Sequence, residues 1–399
     1  MNLAQGSKLQ RWAMKLTGSS RTKPGSVPHT VESTTPKVLY VGNILAHYRE
    51  ETFVNLDSDD RYSFEFAGDL RAIGGIRSVD VNSLKSVHQL KNKQLGRLVW
   101  QQGLLKLLFS HQYATVILMG DASFVSTWVA AIILRLRHVP VIFWTMGWRI
   151  PEEGARRAIR LAFYRLANVL MLYGQRALEI GTALGYPPRR MQVIYNAIGS
   201  SNGTDSLSKQ SEPLLDKTWT IGAVSRITKQ KRFDILIDAA EILESRGIHI
   251  SIALVGDGSE QPRLAHRAKS QKVSLEFLPA IYSPASLADF YARVSLCVLP
   301  SAAGLSVIQS LSYGVPVITD DNLAAAGPET EAIVPGLTGG LYQAHDANDL
   351  ADMITTWLSR VRQDPASVAR ACIDEVERNW TPKSQARRIL EIVDRAIIP

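Results

Sequence analysis

Two basic residues five positions apart, Arg226 and Lys231, stand just beyond an apolar run that ends at Val224 and just ahead of a helical period that opens at Phe233. A guanidinium offers a planar fork and an ammonium a point charge, so the pair at one strand end suits a diphosphate. At the start of a helix both cations oppose the dipole, which makes an anion between them a more economical reading than a bare basic surface. A second candidate is the stretch from Leu299 to Asp321, LPSAAGLSVIQSLSYGVPVITDD. It reads as strand, small-residue loop from Ser301 to Gly304, short helix ending at Gly314, and second strand. A loop of Ser, Ala and Gly lets charged atoms approach the backbone, and the first amides of the following helix have no internal partner. Ser301 and Gln309 lie eight apart across this opening, with Glu329 and Glu331 further on in GPETEAI. The Gln309 amide could hold a pair of hydroxyls or simply sit at the edge of the core.

Other stretches are less telling. Val255-Gly-Asp-Gly-Ser-Glu260 lacks the third glycine of a dinucleotide turn and is read as a structural strand-to-helix turn. In the first half, Ile44 to Arg49 (ILAHYR) and Trp144 to Arg149 (WTMGWR) each follow an apolar run and bring aromatics and an arginine. For His47 and Trp148, packing and ligand contact remain equally open. No Ser-His-Asp set, zinc spacing or Walker loop is present.

The elements that position these residues follow from periodicity. Val38 to Val41, Tyr62 to Ala67, Thr115 to Met119, Val139 to Trp144, Asn168 to Leu172 and Gln192 to Ile194 read as strands. Between them Leu95 to Phe109, Phe124 to Arg137, Glu152 to Ala167 and Gln175 to Leu184 carry a helical period. After a polar, Gly/Ser-rich stretch the alternation resumes at Thr218 and runs to three closing helices. Strands alternating with crossover helices imply α/β architecture with doubly wound parallel sheets. The expected division is a basic segment over 1–36, a Rossmann-like domain over 37–198, a linker over 199–217, a second Rossmann-like domain over 218–380, and a helix over 381–399 lying back on the first domain. Ligands bind at the carboxyl ends of such strands, which places a site in the cleft between the domains.

Composition sets the setting. At 399 residues two domains are natural, and 46% apolar with 21% charged residues describes a well-cored protein. Cys297 and Cys372 show no metal-ligand spacing, so reduced thiols and an intracellular protein are expected. No apolar run is long enough to span a bilayer, and residues 1–11 lack a secretory core, which makes the cytoplasm the expected compartment. The first 200 residues hold 25 Lys and Arg against 13 Asp and Glu, while the whole chain carries +8. The basic half therefore suits an anionic surface. Leu9, Trp12, Ala13 and Leu16 fall at helical spacing among Lys8, Arg11 and Lys15, giving either a short lipid-touching helix or an unstructured tail. Nucleic acid is not expected, for want of an element that reads a groove. A nicotinamide dehydrogenase is disfavoured by the missing Gly-x-Gly-x-x-Gly.

Together AVSRITKQKRFDILIDA, IALVGDG, VSLEFLPAIYSPASLADFYARVSLCVLPS, GLSVIQSLSYGVPVIT and GPETEAIVPGLTGGLY, in this order, resemble the GT-B glycosyltransferases. The nearer likeness is to the retaining family 4 enzymes that assemble bacterial cell-surface polysaccharides, and it covers roughly residues 37 to 395. The resemblance implies a hexosyltransferase-type enzyme with no cofactor, using a nucleotide-diphosphate sugar, UDP- or GDP-linked, as co-substrate. Arg226 and Lys231 would hold the diphosphate and stabilise the leaving nucleotide without a metal. The backbone of Gly304, Leu305 and Ser306 would cradle the same group, and that near Leu278 and Pro279 would meet the base. Ser301 and Gln309 occupy the places of the family's Glu-x7-Glu, whose first Glu contacts the sugar and whose second contacts the ribose. Gln still hydrogen-bonds a ribose; a neutral Ser does not replace a carboxylate. His47, Arg49, Met146 and Arg149 would face the acceptor, with Met146 standing where relatives often have His. The implied partners are a lipid-linked or glycan acceptor and the anionic inner face of the membrane, to which the protein would bind peripherally. A non-catalytic partner of a transferase, or a sugar-nucleotide epimerase, are the alternatives.

Overall fold

Apolar runs bounded by amphipathic helices fold here into two parallel sheets. The computed structural model describes residues 35–72, 77–199 and 219–397, and the chain from Pro36 onward is one unit. The expected lipid-touching helix and nearly all of the expected linker lie outside the described residues. The first lobe runs β1 (Lys37–Ile44), α1 (Glu50–Asp57), β2 (Ser63–Asp69), β3 (Val87–Gln89), β4 (Lys91–Leu95), β5 (Leu98–Gln102), α2 (Leu104–Ser110), β6 (Thr115–Met119), α3 (Val125–Leu136), β7 (Val141–Thr145), α4 (Gly154–Tyr164), β8 (Val169–Leu172), α5 (Gln175–Ala183) and β9 (Met191–Val193). The second runs β10 (Trp219–Val224), α6 (Phe233–Ser245), β11 (Ile250–Val255), α7 (Gln261–Gln271), β12 (Ser274–Leu278), α8 (Pro284–Tyr291), β13 (Leu296–Leu299), α9 (Ser306–Ser312), β14 (Val317–Asp320) and β15 (Gly339–Tyr342). It closes with α10 (Ala347–Gln363), α11 (Pro365–Asn379) and α12 (Pro382–Ile397).

The first sheet has the strand order β3-β2-β1-β6-β7-β8-β9 and the second β12-β11-β10-β13-β14-β15. Their pairings are parallel, as crossover helices require. In each sheet the order reverses once, between β1 and β6 and between β10 and β13, and the crevice at such a reversal opens beyond the strands' carboxyl ends. Strands next to the reversals are buried on both faces, so they read as continuous apolar runs; in β13 all four residues of LCVL are buried.

One expected element differs. Leu95 to Phe109 carries a helical period, yet β4 and β5 pair antiparallel as a hairpin, and only Leu104–Ser110 is helical. Gly96 at φ +64° turns the hairpin and Gly103 at φ +100° opens α2. Both are conformations that other residues resist, and Val99 and Trp100 between them suit a strand.

The last helix belongs to the first lobe by packing. Ala386, Ile389, Ile392 and Val393 of α12 share a core with Phe53, Leu56 and Phe64. Thr52 donates to Gln385 at 3.1 Å, and Arg61 pairs with Asp394 at 2.9 Å. Where the chain crosses between lobes, the rings of Tyr195 and Trp380 lie 4.7 Å apart, and the Gln385 amide donates to the Tyr195 carbonyl. The two lobes are thus joined by two crossings that pack on each other.

Candidate active site

The reversal in the second sheet brings the Arg226–Lys231 segment, which follows β10, beside the Ser301–Gly304 loop, which follows β13. Lys231 reaches across and donates to the Ala302 carbonyl at 2.6 Å. Burial, and then the neighbouring Arg226, depress the Lys231 ammonium below its usual range, while Glu329 opposes the shift. Arg226 itself is exposed. One cation is therefore half-buried and fixed, and the other stands free to fold over a ligand. Two like charges held together in this way gain by receiving an anion.

The glycine turn after β11 braces this segment. The Ile227 amide donates to the Asp257 carbonyl and the Ser225 amide to the Val255 carbonyl, both at 2.9 Å. A Cβ on Gly256 would lie 2.2 Å from the Ser225 oxygen, and one on Gly258 would lie 1.9 Å from the Ile227 oxygen. Only glycine allows that approach, so the turn supports the Arg226 backbone from behind.

Ser306 opens α9 and donates to the Val224 carbonyl at 2.5 Å, tying the loop to the end of β10. Gly304 and Leu305 complete that opening; α9 itself is only seven residues long. Gln309 is half-buried and its side-chain oxygen lies 3.4 Å from the Tyr291 hydroxyl. Leu278 ends β12, where its carbonyl accepts from the Gly256 amide at 3.0 Å, and Pro279 beyond it is exposed. Ser301 is 6% exposed and hydrogen-bonds the carboxylate of Asp320, itself 1% exposed. The Ser301 hydroxyl is thus engaged inside the lobe.

In the first lobe a cavity of about 580 Å³ opens beyond β1, β6 and β7. Arg49 forms its floor: its guanidinium lies 4.9 Å from the Trp144 ring centroid, 5.3 Å from that of Tyr173 and 5.5 Å from that of Tyr48, and it donates to the Tyr173 hydroxyl. Three electron-rich faces hold this cation where no carboxylate pairs with it among the described residues. Met146 is 43% exposed at the cavity wall. His47 is held to Arg77 twice, its backbone amide donating to the Arg77 carbonyl at 3.0 Å and its Nδ1 lying 3.1 Å from the same oxygen. Arg149 reaches the other lobe and donates to the carbonyls of Ala324 and Ala325 at 3.1 and 3.0 Å. Arg149 therefore acts as a bridge across the cleft as well as part of its wall.

Two carboxylates to which sequence reasoning attached no role stand where the lobes meet. Glu331 accepts from the amides of Gln175 at 2.7 Å and Arg176 at 2.9 Å, so a residue of the second lobe caps α5 of the first. Glu329 is 4% exposed and accepts from the Asn196 side-chain amide at 2.6 Å. Burial pushes its carboxyl above the usual range, opposed by Asn196, its own backbone amide, Arg49 and Lys231. Asn196 lies on the inter-lobe crossing and Tyr173 beside Arg49, and nothing in their local pattern marks either one.

Residues 218–360 match the family model described as Glycosyl transferases group 1. The match falls on the second lobe. Several curated proteins resemble the chain. D-inositol 3-phosphate glycosyltransferase of Kribbella flavida is 26% identical over 240 residues, 55% of this chain and 54% of that protein. Its namesake in Mycolicibacterium smegmatis is 32% identical over 38% of this chain and 34% of that one. The matches thus span about a third to a half of those relatives. Among solved structures, Anabaena HepE in complex with UDP superposes with a TM-score of 0.67 at 18% identity, covering 90% of this chain and 100% of that one. The lipopolysaccharide outer core galactosyltransferase WaaB in its apo form gives 0.68 at 17% identity, covering 90% and 99%. With its two Rossmann-like lobes, the chain has the GT-B fold. Among the described residues no helix is long and apolar enough to cross a membrane.

Proposed function

We propose that the chain is a retaining, metal-independent glycosyltransferase of bacterial cell-surface polysaccharide assembly. It moves a sugar from a nucleotide-diphosphate donor to a lipid-linked or glycan acceptor at the cytoplasmic face of the membrane. The observation that carries this reading is the pairing of exposed Arg226 with Lys231, whose ammonium is fixed 2.6 Å from the Ala302 carbonyl at the reversal of the second sheet. The donor diphosphate lies between these cations, with the amides of Gly304, Leu305 and Ser306 adding hydrogen bonds. As the glycosidic bond breaks, negative charge grows on the β-phosphate, and both cations stabilise it. Leu278 and Pro279 border the base and Gln309 the ribose. The sugar projects toward the first-lobe cavity, where Arg49, Met146, His47 and Arg149 border the acceptor. HepE was solved with UDP, which supports a uridine donor ahead of a guanosine one. The basic excess of the first half suits an anionic leaflet at about 1 kcal/mol per well-placed cation.

Titration with UDP-, GDP- and ADP-sugars, with Arg226→Ala in parallel, tests the reading, followed by nucleotide release with and without membrane extract. One sugar nucleotide should bind, the variant should lose it, and extract should stimulate release. No binding by any of them overturns the reading. A second reading, a non-catalytic partner of an active transferase, is favoured by the engaged Ser301 hydroxyl and by the thioether of Met146 at the cavity wall. Its signature is donor binding without turnover.

A further inference from the structure

Several carboxylates border the cleft. Of the carboxylates bordering the first-lobe cavity, Glu152 pairs with Arg160 at 2.7 Å, and Asp121 accepts from the amide and hydroxyl of Ser123 at 2.9 and 2.8 Å. Glu331 is held by two amides of α5, and Asp320 meets Ser301 while its Oδ1 lies buried without a partner inside the lobe. Glu329 stands beside the loop that opens α9. Its Oε1 accepts from Asn196, its own backbone amide also acts on the carboxylate, and its Oε2 faces glycine backbone on two sides. A Cβ on Gly327 would come within 2.2 Å of Oε2, and one on Gly304 would stand 3.9 Å from it. No side chain therefore stands between this oxygen and the loop that opens α9. Arg49 from one lobe and Lys231 from the other act on the carboxylate, yet neither forms an ion pair with it among the described residues.

A buried anion next to a diphosphate site is unfavourable unless some ligand group needs it. The neutral part of a sugar nucleotide offers only hydroxyl and amide donors, and an ionised carboxylate is an acceptor-only group. We propose that Glu329 binds a hydroxyl of the donor sugar through Oε2 and so selects and orients the sugar between the diphosphate cations and the first-lobe cavity. The inference rests on the transferase reading above and adds the residue that reads the sugar.

The test compares dissociation constants for UDP alone and for UDP-glucose, UDP-galactose and UDP-N-acetylglucosamine, in the wild type and in Glu329→Gln and Glu329→Asp. Glu329→Gln keeps the shape and the Asn196 contact; Glu329→Asp keeps the charge but withdraws it. Loss of a charge-assisted hydrogen bond corresponds to about tenfold or more in affinity. The preferred sugar nucleotide should weaken by that factor in Glu329→Gln while UDP changes less than about twofold, and discrimination among the three sugars should narrow. Glu329→Asp should fall between, and it carries the test alone if the Gln variant does not fold. Equal weakening of UDP and UDP-sugar, or no weakening of either, overturns the inference and leaves the transferase reading intact. If the wild type binds none of these nucleotides, GDP- and ADP-sugars and their free nucleotides are measured in the same way; failure there overturns both.

Discussion

The Glu331 carboxylate of the second lobe lies 2.7 Å from the backbone amide of Gln175, at the first turn of a helix in the first lobe. A negative charge at a helix start is favourable, and here it also helps to join the two lobes. Gly174, which precedes the helix, leaves room for it, since a Cβ there would come 2.3 Å from Oε1.

Glu331→Ala should therefore lower stability by about 1–2 kcal/mol, the usual size of a lost helix cap. Gly174→Ala should be comparably harmful, but much less so in the Glu331→Ala background, because the colliding oxygens are gone. Chemical unfolding of the four proteins in this double-mutant cycle measures that coupling, and strict additivity would dissociate Gly174 from the latch.

Donor affinity should fall as pH rises. Burial and Arg226 hold the free Lys231 ammonium below its usual range, and a bound diphosphate raises it again, so binding takes up a proton where Lys231 is neutral. Affinity is thus fully present below the free-protein pKa and declines above it. Titrating a UDP-sugar, whose diphosphate has no terminal group to ionise, through mildly alkaline pH reads the decline, which should be smaller in Lys231→Arg because a guanidinium stays charged throughout.

Arg226→Ala should separate binding from folding. The side chain is exposed, so thermal stability should change by less than about 0.5 kcal/mol, the range of ordinary surface substitutions. Donor affinity should fall about tenfold or more, the scale of a charge-assisted contact to phosphate. Calorimetric melting and donor titration of the same preparation check both halves.

Gly258→Ala should impair the same step from behind. Its Cβ would overlap the Ile227 oxygen at 1.9 Å, so the segment carrying Arg226 must shift. Loss of UDP affinity in a variant that still melts cooperatively is the expected outcome. Unchanged affinity would mean that the turn does not set the Arg226 position.

The stability contribution of Glu329 also carries a sign. Burial raises its carboxyl, so the folded state prefers the proton more than the unfolded state does. The penalty is absent below the unfolded carboxyl range and complete above the raised folded value. The melting temperature of Glu329→Gln relative to wild type should therefore rise as pH increases through that window, and a flat difference would argue against a strained carboxylate.

Much of this protein is local in origin. A parallel strand buried on both faces writes itself as a short apolar run, and β6, β8, β10, β11 and β13 stand close to where such runs occur. Arg226 and Lys231 were visible because two cations at a helix start oppose its dipole, a conflict contained within a few residues. The hairpin from Lys91 to Gln102 was not visible, because its apolar spacing also satisfies a helix and only the left-handed Gly96 and Gly103 decide between them. Tertiary structure alone decided the roles of the acidic residues. Glu329 and Glu331 lie two positions apart in one short helical turn, yet one caps a helix some 155 residues away and the other turns to Asn196 and the glycine loop. Likewise Arg149 bridges the cleft and the Ser301 hydroxyl turns to Asp320 because of what packing brings beside them. Burial and proximity between lobes are properties of the assembled chain, and a carboxylate's partners cannot be read from its neighbours in sequence when the partners come from another domain.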